Sequence, residues 1–227
     1  MLGYFAIHVP DPGRAKDFYH AVFGWTFASN GDYHHIDGSS PAGGITKGEP
    51  HTEPHIGPSF VVADIEHSVA EARERGGTAG EPTRSESGWS AHVEDGRGGA
   101  LELWQPAAGY RDDDPECGIG DLFYFVQPVA DDDAKAFHIA LLGWELTPGT
   151  HENGYNIVNI APPGGLFVSR PGPTDLYFQV ADIENAADRI RAAGGTAGPA
   201  QPNQAGSHAA CRDDHGIAFS IGSLHKK

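Results

Sequence analysis

Thirteen histidines and 31 acidic residues in 227 give this chain two chemistries to choose from, metal ligation and acid–base transfer. His51-x-x-x-His55, with Glu53 between, has the spacing of a metal site on a helix. Pro50, Pro54 and Pro58 surround it, so no helix brings the two rings onto one face. Tyr33-His34-His35-Ile36 reads as a strand with one histidine on each face. No glycine-rich phosphate loop stands between a strand and a helix, and no spacing supports a Ser-His-Asp or Cys-His set. Cys117 and Cys211 form neither a CxxC nor a finger spacing.

The chain repeats itself. Ala-Lys-Asp-Phe-Tyr-His-Ala-Val-Phe-Gly-Trp at 15–25 returns as Ala-Lys-Ala-Phe-His-Ile-Ala-Leu-Leu-Gly-Trp at 134–144. Ala63-Asp64-Ile65-Glu66 returns as Ala181-Asp182-Ile183-Glu184, and Gly76-Gly77-Thr78-Ala79-Gly80 as Gly194-Gly195-Thr196-Ala197-Gly198. The offset is 119 for Ala15 to Ala134 and 118 for Ala63 to Ala181. Two homologous units therefore fill the chain. Polar positions at which they differ point to function rather than packing.

Within a unit the elements follow from local pattern. Tyr4, Ala6 and His8 alternate with Phe5, Ile7 and Val9, a half-buried strand. Residues 13–23 read as a helix, with Ala15, Phe18, Tyr19 and Val22 on its apolar stripe and Gly24 at its end. Strands follow at 33–36 and 44–47. The order then restarts with a strand at 59–63, a helix from Asp64 to Arg75, and strands at 89–93 and 100–104. Each unit is a pair of βαβββ modules, and four modules lie at about 1–50, 57–105, 121–170 and 173–222. The expected organisation is a first unit at 1–106, a Pro/Gly/Asp-rich linker at 107–120 containing Asp112–Asp114, and a second unit at 121–224.

A net charge of −16 argues against nucleic acid and anionic membranes as partners, and would suit a cationic ligand as well as plain solubility. No apolar run spans a bilayer and no signal peptide is legible, so a cytoplasmic location is the expectation. The tandem chain would act as a monomeric pseudo-dimer or a homodimer.

Phe18-Tyr19-x-x-Val22-Phe23-Gly24-Trp25, Val62-Ala63-Asp64-Ile65, and Asp95-Gly96 followed by Ala100-Leu101-Glu102-Leu103-Trp104-Gln105-Pro106 resemble the vicinal oxygen chelate superfamily. That group includes glyoxalase I, bleomycin resistance proteins and extradiol dioxygenases. The resemblance implies an α+β fold in which paired modules form open, cup-shaped mixed β-sheets covered by helices. Three cup positions usually carry two histidines and a carboxylate around a metal with open coordination sites. Here they align as Tyr4, Gly57 and Glu102 in the first unit and Phe123, Asp175 and Ser220 in the second. Pairing modules across units gives Tyr4, Asp175 and Ser220, or Phe123, Gly57 and Glu102. None of these is the family's usual metal set.

Alternation then assigns the cup linings. His8 joins Tyr4, with Gln127 as its counterpart. Asp175, Tyr177 and Gln179 face inward against Leu176, Phe178 and Val180, and Glu102 shares a face with Trp104. His8 and Glu102 are the catalytic candidates, as general base with carboxylate or as two ligands of an unusual zinc, nickel, iron or manganese site, with His34, His35, His55 and His92 as candidates for a third ligand that the sequence does not place. Tyr4, Trp104, Phe123, Phe125 and Tyr177 supply aromatic surface for a flat or cationic organic ligand. The reading these residues support is a protein that captures a small organic molecule without the usual metal. The alternative is a lyase, isomerase or oxygenase using a nonstandard metal site or metal-free acid–base chemistry.

Overall fold

A computed structural model describes residues 1–110, 117–169, 171–203 and 205–224. The middle of the expected linker, 111–116 with its acidic run, lies outside the described residues.

The first half of the chain runs β1 (Leu2–Val9), α1 (Pro12–Phe23), β2 (Phe27–Asn30), β3 (Tyr33–Ile36), β4 (Ala42–Lys47), β5 (His55–Val61), α2 (Ile65–Glu74), β6 (Thr78–Ala79), β7 (Thr83–Ser85), β8 (Gly88–Glu94) and β9 (Ala100–Pro106). The second runs β10 (Leu122–Val129), α3 (Asp132–Leu142), β11 (Leu146–Pro148), β12 (Gly154–Ile157), β13 (Gly164–Val168), β14 (Asp175–Gln179), α4 (Ile183–Ala192), β15 (Thr196–Ala197), β16 (Gln201–Pro202), β17 (Gly206–Arg212) and β18 (Ala218–Leu224). Each half forms one nine-stranded mixed sheet. Their orders are the same, β2-β3-β4-β1-β5-β9-β8-β6 and β11-β12-β13-β10-β14-β18-β17-β15, with β7 on β8 and β16 on β17. The βαβββ modules of the α+β fold are thus present four times.

All four helices start by one device. Asp11, Asp64, Asp131 and Asp182 each accept the backbone N–H three residues on, from Arg14, His67, Ala134 and Asn185. The α1 and α3 helices end on left-handed glycines, Gly24 (φ +76°) and Gly143 (φ +63°), where a side chain would be strained. Between matching caps, α1 has twelve residues and α3 eleven. That single residue matters for the site.

By contacts the chain divides into two compact units. One comprises Met1–Tyr4, Gly57–Asp113 and Phe125–Thr174. Its centre is a ring cluster of Phe60, Phe125 and Trp144, with centroids 5.5–6.2 Å apart. The other comprises Phe5–Ile56, Asp114–Tyr124 and Asp175–Lys227. It packs Phe5, Trp25, Phe178 and Phe219 together, and the Trp25 indole N–H donates to Gly120 O at 3.1 Å. No helix among the described residues is long and apolar enough to cross a membrane.

Candidate functional site

Strand alternation sets which groups reach the strand face turned away from the helices. In β14, Leu176 and Phe178 are buried while Asp175, Tyr177 and Gln179 are half-buried. In β18, Phe219 and Ile221 join the core, and Ser220 turns the other way, paired in register with Tyr177. Ser220 Oγ donates to Asp175 Oδ1 at 3.1 Å, and the Tyr177 phenol also hydrogen-bonds the Asp175 carboxylate. The Tyr124 ring meets Tyr177 edge-on at 5.6 Å, and His208 lies 6.1 Å from Tyr177 on its other side. Asp175, Tyr177, Ser220, Tyr124 and His208 thus form one cluster in one compact unit.

Burial dominates its electrostatics. It pushes the Asp175 carboxyl above its ordinary range, against the pull of the Tyr177 and Ser220 hydrogen bonds and the His208 charge. Burial and the neighbouring Asp175 charge push the Tyr177 phenol well up, so it stays protonated and donates. Gln179 Oε1 is buried without a hydrogen-bond partner among the described residues. Asp175 and Gln179 are therefore two acceptors, four residues apart, on one strand face.

Two residues expected in the cup lie elsewhere. Phe125 is fully buried in the Phe60–Trp144 cluster, and Gln127 is fully buried, accepting from Thr174 Oγ1 at 2.6 Å. The cause is the shorter α3. Cap Asp11 matches Asp131, an offset of 120, whereas Gly24 matches Gly143, an offset of 119. Carrying the helix offset onto the strand slips the register by one, which inverts the faces. The residue matching Tyr4 is Tyr124. Phe123 nevertheless reaches this face. The start of β10 breaks alternation, with 123 and 124 both half-buried, and the Phe123 ring packs where a Cβ on Gly222 would come within 2.4 Å.

The corresponding residues of the first half are built differently. Gly57 brings no side chain. Glu102 Oε1 lies 2.6 Å from His92 Nδ1, its direct cross-strand partner, in a pair open to solvent. Trp104, two residues on, meets Tyr4 at 6.4 Å and Tyr110 edge-on at 4.9 Å. His8 belongs to the other compact unit and stacks on His55 at 4.6 Å and 10°. Burial, then His55, lowers its pKa to about 4, so it is neutral at pH 7. His34 is buried against Ser29 Oγ, and His35 reaches the Tyr33 hydroxyl at 3.4 Å.

Sequence reasoning left His92 unplaced, as one candidate third ligand, and missed His208 and Tyr124. The first two had a signal, since they sit on strands adjacent to Glu102 and Ser220. Tyr124 was hidden by the offset.

A metal centre is what the fold implies, and these residues do not fit one. The three usual positions hold Tyr4, Gly57 and Glu102 in the first half and Tyr124, Asp175 and Ser220 in the second, with a single carboxylate in each set. The Asp175 oxygens already receive Ser220 and Tyr177. Among the described residues one group of three metal-capable side chains comes together, Asp213, Asp214 and His215 between β17 and β18. Its oxygens are engaged by the Tyr19 hydroxyl and the Arg14 guanidinium.

Four βαβββ modules with polar groups on the strand face turned from the helices define a vicinal oxygen chelate fold. The family model "Glyoxalase/Bleomycin resistance protein/Dioxygenase superfamily" matches residues 1–221, and the chain belongs to that superfamily. Solved structures of the same fold include 2,2',3-trihydroxybiphenyl 1,2-dioxygenase from Sphingomonas wittichii RW1, at 15% identity and TM-score 0.67 over 98% of this chain and 90% of that one. A variant of homoprotocatechuate 2,3-dioxygenase from B. fuscum has 16% identity and TM-score 0.70, covering 99% and 71%. A 2,3-dioxygenase from Pseudomonas sp. KL28 has 15% identity and TM-score 0.67, covering 99% and 92%. Among curated proteins no sequence matches the chain.

Proposed function

We propose that the protein captures a small, planar organic molecule at the Asp175 cluster, without a metal of its own. One observation carries this reading. A desolvated carboxylate, steadied by Ser220 and Tyr177, stands among aromatic rings at a position where the family resemblance implies a metal ligand. Apolar walls with a few oriented polar groups are the usual makeup of a small-molecule site. The rings of Tyr124, Tyr177 and Phe123 favour a flat ligand. The acceptors Asp175 and Gln179 favour one that carries two N–H or O–H donors. An aromatic diol or an aromatic cation meets both demands.

A second reading, acid–base catalysis at Glu102, is favoured by the 2.6 Å contact with His92, a carboxylate and imidazole already in proton-transfer range. It runs without a metal or with a divalent one.

The test is calorimetric titration of the protein with homoprotocatechuate, the compound bound in one structural relative, and with a dihydroxyphenyl amine. It is run first on protein stripped of metal and then with zinc, nickel, iron and manganese added. The expected result is saturable binding in the stripped protein that Asp175→Asn weakens at least tenfold. Binding, or turnover, that appears only with metal overturns the metal-free reading in favour of the second.

A further inference from the structure

The internal duplication exposes a buried polar site that neither function uses. In one compact unit, the Asp213 side chain nucleates the β17–β18 turn. Its Oδ1 accepts from the N–H groups of His215 and Ile217, and its Oδ2 accepts from the Tyr19 hydroxyl of α1 at 3.0 Å. The other unit repeats the turn. Asp95 Oδ1 accepts from the N–H groups of Arg97 and Gly99, each at 2.8 Å. The α3 residue that matches Tyr19 is His138. Its neighbour Phe137 packs on Gly77 as Phe18 packs on Gly195, so both helices sit in matching frames. An imidazole falls short of the place a phenol hydroxyl reaches by about one hydrogen-bond length, ~2.8 Å.

The chemistry of the gap is set by its proton count. His138 Nδ1 lies 2.8 Å from Ala134 O, and a carbonyl only accepts, so Nδ1 carries the proton. In the neutral ring Nε2 is then an acceptor. His138 is fully buried and Asp95 nearly so, at 7% exposure. His138 Nε2 and Asp95 Oδ2 are both buried without partners among the described residues. Two buried acceptors on facing elements are costly unless a double donor satisfies them. We propose that one ordered water molecule occupies this site, donating one O–H to His138 Nε2 and the other to Asp95 Oδ2, and so performs the join that the Tyr19 hydroxyl makes directly. The water ties α3 to the β8–β9 turn. Burial also lowers the His138 pKa, which keeps the ring in its accepting form.

Long-range ¹H–¹⁵N NMR of the intact protein at pH 7 tests this. The expected spectrum has a protonated Nδ1 and an unprotonated Nε2 for His138, with a water resonance in contact with the ring. Two protonated nitrogens mean an imidazolium bonded directly to Asp95, and overturn the proposal. Thermal melts give an independent arm. His138→Tyr restores the direct bond and is expected to melt about 2–4 °C above wild type, while His138→Phe, which leaves Asp95 Oδ2 without a donor, melts below it. H138Y no more stable than H138F overturns the proposal as well.

Discussion

Glu102 and Asp175 are both acids on the open face of a strand in repeated halves of one chain, yet their surroundings have diverged. The Glu102 side chain is 37% exposed and leans on an exposed histidine. Asp175 is largely desolvated and held by a serine and a tyrosine between aromatic rings. The difference lies in what stands beside each acid. At the residue matching Asp175 the first half has Gly57, and at the residue matching Glu102 the second half has Ser220. Each half keeps one carboxylate, at a different corner of the same frame. The exposed one is suited to proton exchange with water, the buried one to orienting a ligand.

The contrast between the halves depends on the register of β10, and breaking that register gives the largest effect. Phe125→Ala is expected to cost about 3–5 kcal/mol, as a core ring deletion, whereas Phe123→Ala costs clearly less. Urea unfolding of both variants checks the order, and equal costs would return Phe125 to the open face. Next is Asp175→Asn. Because burial raises the folded-state pKa of Asp175, the unfolded chain ionises first as pH rises past its ordinary value. The acid therefore destabilises the fold progressively above about pH 4 and contributes nothing below that. D175N should melt above wild type at pH 7 and converge with it near pH 3, while losing at least tenfold in ligand affinity. A variant that is less stable at pH 7 would show that the hydrogen bonds outweigh the desolvation. Gly222→Ala drives a methyl into the Phe123 ring. It is expected to weaken ligand binding severalfold with a smaller loss of stability, read in the same titration. The smallest effect is Glu102→Gln. An exposed carboxylate–imidazole contact contributes under about 1 kcal/mol, so its melt should stay within a degree or two of wild type. A larger drop would mean that the Glu102–His92 pair is buried in solution.

Helices and sheets were legible because their signals are local. Each Asp cap precedes an apolar stripe, and strands such as Asp175–Gln179 alternate cleanly. The superfamily was legible because several such segments occur at fixed spacing. Glu102, Trp104, Asp175, Tyr177, Gln179 and Ser220 could be assigned from alternation within their own strands. Phe125 and Gln127 could not, because their assignment was borrowed across an insertion that no pattern marks. His92 and His208 needed the cross-strand neighbour, which is a property of register and not of either strand alone.

The residue that distinguishes α1 from α3 has a wider consequence for how a duplicated gene ages. A helix absorbs an extra residue near its start by rotating its later turns through about 100°. A strand that gained one would exchange inside for outside. Descendants of such a duplication can therefore lengthen and shorten at their helices while strand parity stays frozen. Two copies aligned by their most similar stretch, here the helix ending in Gly-Trp, will be misjudged in the strand next to it. A pocket transferred between such copies by homology should be counted from the strand outward.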